Sequence, residues 1–201
     1  MWSIIEAAGW PIWPLIFASV LALGIIGERL WSLRESEVVP KDLLQGAIQE
    51  WKQKGLSPAL MDRLSRGGPM ARIFASGLKN ADSSREIMKE SIEEAGRAAT
   101  ADLDRFLTTL GTIASVSPLL GLLGTVIGMV EIFGALKPSG GSPVELAHGI
   151  SVALYNTAMG LIVAIPSMIF YRYFRGKVDA LVLEMEQQAV KLVEIVHGER
   201  K

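Results

Sequence analysis

"SPLLGLLGTVIGM", Ser117–Met129, lies within an uncharged run from Phe106 to Val130 and, after its leading serine, carries one hydroxyl, Thr125, among glycines and aliphatics. About 20 mostly apolar residues rising ~1.5 Å each cover a hydrocarbon core of roughly 30 Å, so this run reads as a membrane helix. Two further runs qualify. Ala7–Gly27 is bounded by Glu6 and Glu28, and Leu146–Tyr171 by Glu145 and Arg172, with His148 as its one group titrating near neutrality.

The fold class that follows is an all-α integral membrane protein with three transmembrane helices and long helical cytoplasmic extensions. Charge orients it, because short loops rich in Lys and Arg stay cytoplasmic. Arg29, Arg34 and Lys41 follow the first span, Arg97 and Arg105 precede the second, and Arg172, Arg175 and Lys177 follow the third, whereas the connection 135–149 offers only Lys137. The N-terminus is expected outside and the C-terminus inside. Trp10 and Trp13 against Trp31, with Tyr171 and Tyr173, suit interfacial belts. Met1–Ala8 reads as a short amphipathic helix on the outer interface. The expected organisation is 1–33 (outer helix and first span), 34–104 (cytoplasmic helical domain), 105–136 (second span), 137–147 (periplasmic loop), 148–175 (third span) and 176–201 (cytoplasmic C-terminal helix).

No positive n-region precedes Pro11, so the first span is read as retained. A formal net charge of -1 gives no strongly basic face for nucleic acid, and zero cysteines exclude disulfides and thiolate metal sites. His148 and His197 are far apart in sequence, so no metal or other cofactor is expected.

The segment Glu35–Asp104 breaks at Gly55, Pro58 and Gly67-Gly68-Pro69 and reads as short helices joined by turns. Ser83-Ser84-Arg85-Glu86 has capping-box spacing, and no breaker intervenes before Pro118, so one helix is expected to run from cytoplasm into membrane. After the third span, Val178, Leu181, Val182, Met185, Ala189, Leu192, Val193 and Val196 recur at helical spacing, extending that span as an amphipathic helix.

Small residues form a stripe in each of two spans: Ser117, Gly121, Gly124 or Thr125, and Gly128 in the second; Ala153, Thr157, Gly160, Ala164 and Ser167 in the third, with Asn156 beside it. Such stripes let helices approach closely in lipid. Thr125 lies about 9 Å of helix rise from Glu131, and Thr157 about 13 Å from His148, so the two hydroxyls reach similar depth. One reading has each threonine bonding its own i-4 carbonyl. The other has both lining an aqueous seam, where a hydroxyl donates and accepts without ionising. Glu131 reads as a helix-end acid or an outer mouth, Glu28 and Arg29 as an interfacial ion pair, a gate or a topology anchor, and Pro118 and Pro166 as packing bends.

The pattern of Pro118, Gly121, Gly124 and Thr125, with that of Thr157, Gly160, Leu161, Ala164, Ile165 and Pro166, resembles the second and third spans of the MotA/TolQ/ExbB proton channel family, closest to its ExbB and TolQ branch. The resemblance implies a homopentamer around a central pore in the inner membrane of a Gram-negative bacterium. It also implies an ExbD- or TolR-like partner dimer whose single spans carry an intramembrane aspartate, and a TonB- or TolA-like protein beyond it. It places Thr125 and Thr157 on the pore wall, Asn156 and Glu131 at the pore or its mouth, and Pro118, Gly121, Gly124, Gly128, Gly160 and Pro166 in helix packing. Where relatives often carry a glutamate, this chain has Val152, in Ser151-Val152-Ala153-Leu154.

Work drawn from a membrane potential needs a group that changes charge within the field. No Asp, Glu, Lys or Arg occupies a span interior here, so the switch is expected on the partner. The leading expectation is a proton channel or stator subunit driving outer-membrane transport or maintenance, with sodium as the other candidate ion. A non-conducting scaffold is the alternative. A solute transporter is disfavoured by the missing inverted repeat, and an enzyme by the absence of a nucleophile and base pair at plausible depth.

Overall fold

The computed structural model describes residues 9–135 and 143–199, with the side chains at 135, 143, 145, 146, 148 and 152 outside the description. The expected Met1–Ala8 helix lies outside the described residues, as does most of the loop 137–147. The described chain is helical: α1 (Ile12–Ser32), α2 (Glu35–Val38), α3 (Leu43–Lys54), α4 (Pro58–Ser65), α5 (Pro69–Lys79), α6 (Arg85–Asp104), α7 (Leu107–Ala135) and α8 (Pro143–Val196). Among the described residues, three stretches are long and apolar enough to cross a membrane, lying in Ile12–Ser32, Arg85–Gly134 and Gly149–Val196. The chain divides into two compact units, Met1–Glu28 with Phe106–Tyr173, and Arg29–Arg105 with Phe174–Lys201.

In the first unit, apolar side chains cover the outside as well as the inside. Phe17, Val20 and Leu23 on α1, Leu119, Leu122, Val126 and Val130 on α7, and Leu154, Ile162, Ile165 and Ile169 on α8 are exposed. Water would penalise these side chains at about 25 cal/mol per Å² of apolar surface, while lipid tails and neighbouring helices accept them. This is the surface of a multi-pass membrane protein. The buried face is narrower and falls at helical spacing: Leu107, Leu110, Ala114, Ser117, Gly121 and Gly124 on α7, and Ala153, Asn156, Gly160, Val163, Ala164 and Ser167 on α8.

The second unit has an ordinary globular core. Phe74, Leu60, Leu64, Met70, Met88, Leu78 and, from α8, Phe174, Leu181, Met185 and Leu192 are fully or almost fully buried. The breaks expected at Gly55, Pro58 and Gly67-Gly68-Pro69 are present. Gly55 adopts φ 68° after α3, Ser57 caps α4 by accepting from the Leu60 amide with Pro58 at the first helical position, and Gly68 precedes Pro69 at the start of α5. A Cβ at Gly68 would overlap the Glu37 carbonyl, so glycine is required there by close approach. Ser76 Oγ lies 2.7 Å from Ser91 Oγ, and Asn80 Nδ2 donates to Ser91 Oγ at 3.0 Å, joining α5 to α6 through polar atoms.

Two expectations are corrected. The helix starting near Ser83 does not continue to Pro118: α6 ends at Asp104, and α7 begins at Leu107. Phe106 sits between them at φ 64°, and its carbonyl accepts from the Leu110 amide to start α7. A bulky residue rarely adopts this left-handed conformation, so neither glycine nor proline marks the break in the sequence. The cap is also one residue later than the box spacing implies. Ser84 is the N-cap, accepting from the Ile87 amide at 3.4 Å, which leaves Glu86 out of the N3 position.

Candidate functional site

The site is built by two helices that touch backbone to backbone. Along α7 and α8, Gly111 faces the Tyr171 ring, Gly121 faces Gly160, Gly124 faces Asn156, Gly128 faces Ala153 and Gly149 faces Ile132. One partner's number rises as the other's falls, so the helices run antiparallel. A Cβ at Gly121 would lie 2.7 Å from the Asn156 carbonyl oxygen and 3.0 Å from the Thr157 Cα; one at Gly160 would lie 2.6 Å from the Ser117 carbonyl oxygen. These are backbone atoms that cannot rotate away. The approach therefore requires glycine on both sides, as small-residue seams in lipid do.

The approach brings Thr125 and Thr157 together. Their hydroxyl oxygens lie 2.5 Å apart; Thr125 Oγ1 is 3.0 Å from the Ala153 carbonyl, and both hydroxyls are 3.3 Å from the Gly121 carbonyl. Gly121 is four residues before Thr125, so Thr125 keeps the i-4 contact usual for membrane threonines, and the Thr125–Ala153 and Thr157–Gly121 contacts repeat it across the two helices. Each hydroxyl has one proton, which permits two polarities. In the first, Thr157 donates to Thr125, and Thr125 donates to the Ala153 carbonyl. In the second, Thr125 donates to Thr157, and Thr157 donates to the Gly121 carbonyl. Exchanging them moves no heavy atom. Both threonines are half-buried, so the pair has an open side.

The other candidates distribute around this pair. Asn156 is 2 % exposed, its side chain wedged against Gly124 between the helices. Glu131 is exposed six residues beyond Thr125 on α7. Pro118 and Pro166 lie inside α7 and α8, each removing one backbone donor. Ser167 Oγ donates to the Val163 carbonyl at 2.7 Å. No group of three or more metal-ligating side chains is present among the described residues.

Sequence reasoning passed over two features of this arrangement. Ala153 enters as a carbonyl acceptor, which a side-chain stripe cannot reveal. Gly111 and Gly149 extend the seam beyond the stripe, and a search for glycines at four-residue spacing along both helices finds no continuous signal for them. Arg29, read from the sequence as part of an interfacial pair, a gate or a topology anchor, is buried in the second unit, where its guanidinium Nη1 donates to the Leu103 and Asp102 carbonyls at 3.1 and 3.4 Å.

Residues 65–187 match the family model described as the MotA/TolQ/ExbB proton channel family. The chain is 32% identical to the biopolymer transport protein exbB1 of Vibrio cholerae over 81% of its own length and 74% of the relative's. It is 28% identical to the Tol-Pal system protein TolQ of Pseudomonas aeruginosa over 90% of its length and 86% of the relative's. An ExbB homolog of Methanothermobacter thermautotrophicus is 35% identical over 80% of this chain, which spans 59% of that relative's length. The match covers α5, α6, α7 and the part of α8 that carries the glycine seam and the paired threonines, and the chain belongs to the MotA/TolQ/ExbB proton channel family.

Proposed function

We propose that this chain is the stator subunit of a proton channel that couples the proton motive force to mechanical work through an ExbD- or TolR-like partner. Five copies surround a central pore in a bacterial inner membrane, with the N-terminus outside and the C-terminus inside. The observation that carries the reading is the Thr125–Thr157 pair, two half-buried hydroxyls 2.5 Å apart on helices that turn large apolar side chains such as Leu122, Val126, Leu154 and Leu161 outward.

A charge moved through the field is worth about 2.3 kcal/mol per 100 mV, and the spans of this chain hold no carboxylate to collect it. Val152 stands where the family resemblance implies a glutamate, which leaves the partner aspartate as the titrating group. The threonine pair hydrates and orients that carboxylate. In either polarity a hydroxyl oxygen keeps a lone pair that accepts from the protonated carboxyl, and a hydroxyl proton rotated away from the Ala153 or Gly121 carbonyl donates to the ionised one, with no change of heavy-atom position. The output is transport or maintenance at the outer membrane, through a TonB- or TolA-like protein, and the chain performs no enzymatic step.

Native mass spectrometry of the detergent-extracted complex, expressed with a single-span neighbour bearing an intramembrane aspartate, tests the assembly; five copies with two partners is the expected mass. Proton flux into proteoliposomes tests the site. Thr125→Val with Thr157→Val abolishes partner-dependent flux on this reading, and unchanged flux refutes the assigned role. One observation favours a second reading, a non-conducting scaffold: the helix pair satisfies both hydroxyls internally. Normal assembly with no wild-type flux selects it.

A further inference from the structure

The C-terminal end of α6 is held by three arginines from three other elements of the second unit. Arg29 of α1, 5 % exposed, donates to the Leu103 and Asp102 carbonyls. Arg72 of α5 meets Asp102 Oδ2 at 2.7 Å. Arg175 of α8 meets Asp104 Oδ1 at 2.9 Å and lies 3.9 Å from Asp179.

The last carbonyls of a helix have no amide partner and carry the negative end of its dipole. Helices commonly close there with a left-handed glycine. In this chain the left-handed residue is Phe106; the Arg105 amide reaches the Asp102 carbonyl at 3.4 Å, and Arg29 adds side-chain donors to the Asp102 and Leu103 carbonyls. Withdrawing a guanidinium from water is costly unless acceptors replace the lost hydration, and here two backbone carbonyls do so. Arg72 and Arg175 are half-exposed and weaker, yet they bind the side chains that flank the same carbonyls.

The elements concerned matter more than the charge count. Arg29 stands on α1, which contains the first membrane-crossing stretch, and Arg175 on α8, which contains the third; α6 precedes the second. We propose that the end of α6 is a coupling joint: the helices that continue into the first and third spans grip the helix that leads into the second, so displacement of one is transmitted to the others at Asp102–Asp104. Arg29 is its positioning residue. The functional part of this inference rests on the channel reading; the joint itself does not.

The experiment uses the full-length chain with its partner, reading amide hydrogen exchange and proteoliposome flux on the same preparations. Arg29→Met speeds exchange at residues 101–110 by about tenfold to a hundredfold, the range expected for losing hydrogen bonds to a charged group, and leaves Ile73–Leu78 protected. Asp104→Arg lowers partner-dependent flux about fivefold, as loss of a half-exposed pair allows, and adding Arg175→Asp restores it. Unchanged exchange at 101–110 in Arg29→Met overturns the proposal. So does flux indifferent to Asp104→Arg, or no rescue by the second change. If Arg29→Met also exposes Ile73–Leu78, the Asp104 and Arg175 exchange of charges decides alone. If the wild type carries no flux, the channel reading falls, and the joint stands or falls on whether the same charge exchange restores protection at 101–110.

Discussion

Alanine at Gly160 would place a Cβ 2.6 Å from the Ser117 carbonyl oxygen and 3.1 Å from the Gly121 Cα. Ordinary contact begins at 3.4 Å, and both obstructing groups are backbone, so α7 and α8 must separate by about 0.8 Å. Overpacking of this kind costs about 1–3 kcal/mol. The separation also carries the Thr157 hydroxyl, now 3.3 Å from the Gly121 carbonyl, past the roughly 3.5 Å at which a hydrogen bond ceases. An interhelical bond in a membrane is worth about 0.6 kcal/mol on average, so the total loss is about 2–4 kcal/mol. At about 2–4 °C per kcal/mol for a chain of this size, Gly160→Ala lowers the midpoint of thermal unfolding in detergent by about 5–15 °C. Gly134→Ala and Gly24→Ala, where nothing lies within 4 Å of the added Cβ, are the matched controls and equal the parent or exceed it by up to about 1 kcal/mol through helix propensity. Circular dichroism melts of the three variants decide the matter. A Gly160→Ala midpoint equal to that of Gly134→Ala would show that the backbone approach does not hold these helices together.

Gly77→Ala meets Ile92 and Leu192 only at side-chain tips, which can rotate; its expected cost is under about 1.5 kcal/mol, well below that of Gly160→Ala in the same melts. Phe74→Ala, deleting a fully buried ring from the second unit, costs about 3–5 kcal/mol and increases exchange throughout α5. Ser84→Ala destabilises by about 0.5–1 kcal/mol, the low end for an N-cap because its bond to the Ile87 amide is long at 3.4 Å, while Ser83→Ala is neutral; the reverse order restores the capping-box register. Thr157→Ser keeps the hydroxyl and retains partner-dependent flux on the proposed reading, whereas Thr157→Val loses it; equal flux from both removes the hydroxyl from the mechanism.

The membrane spans and the glycine seam were legible because lipid imposes a simple rule on sequence: long uncharged runs, interrupted on one face by residues without bulk. The stripe through Gly121, Gly124, Gly128 and Gly160 needs no alignment to be seen, and neither do the turns at Gly55 and Gly68, where a left-handed φ or a backbone contact demands glycine. The break at Arg105–Phe106 was not legible. Phe106 carries no turn chemistry, and the Leu103 carbonyl just before the break accepts from a guanidinium 74 positions earlier in the chain, which no local pattern announces. The same limit hid the register of the α6 cap, since Ser83 and Ser84 are equivalent until α6 is packed.

Thr125 and Thr157 mark the division between the two sources. Sequence alone determined that two hydroxyls stand at similar depth on helices with small-residue faces, because helix rise and hydrophobic length are local properties. Only the tertiary structure decided that those hydroxyls meet each other and share the carbonyls of Gly121 and Ala153. Which atoms face across an interface depends on the rotation and separation of two helices, and these are set where Gly121 and Gly160 touch, 39 residues apart in the chain and in direct backbone contact in space.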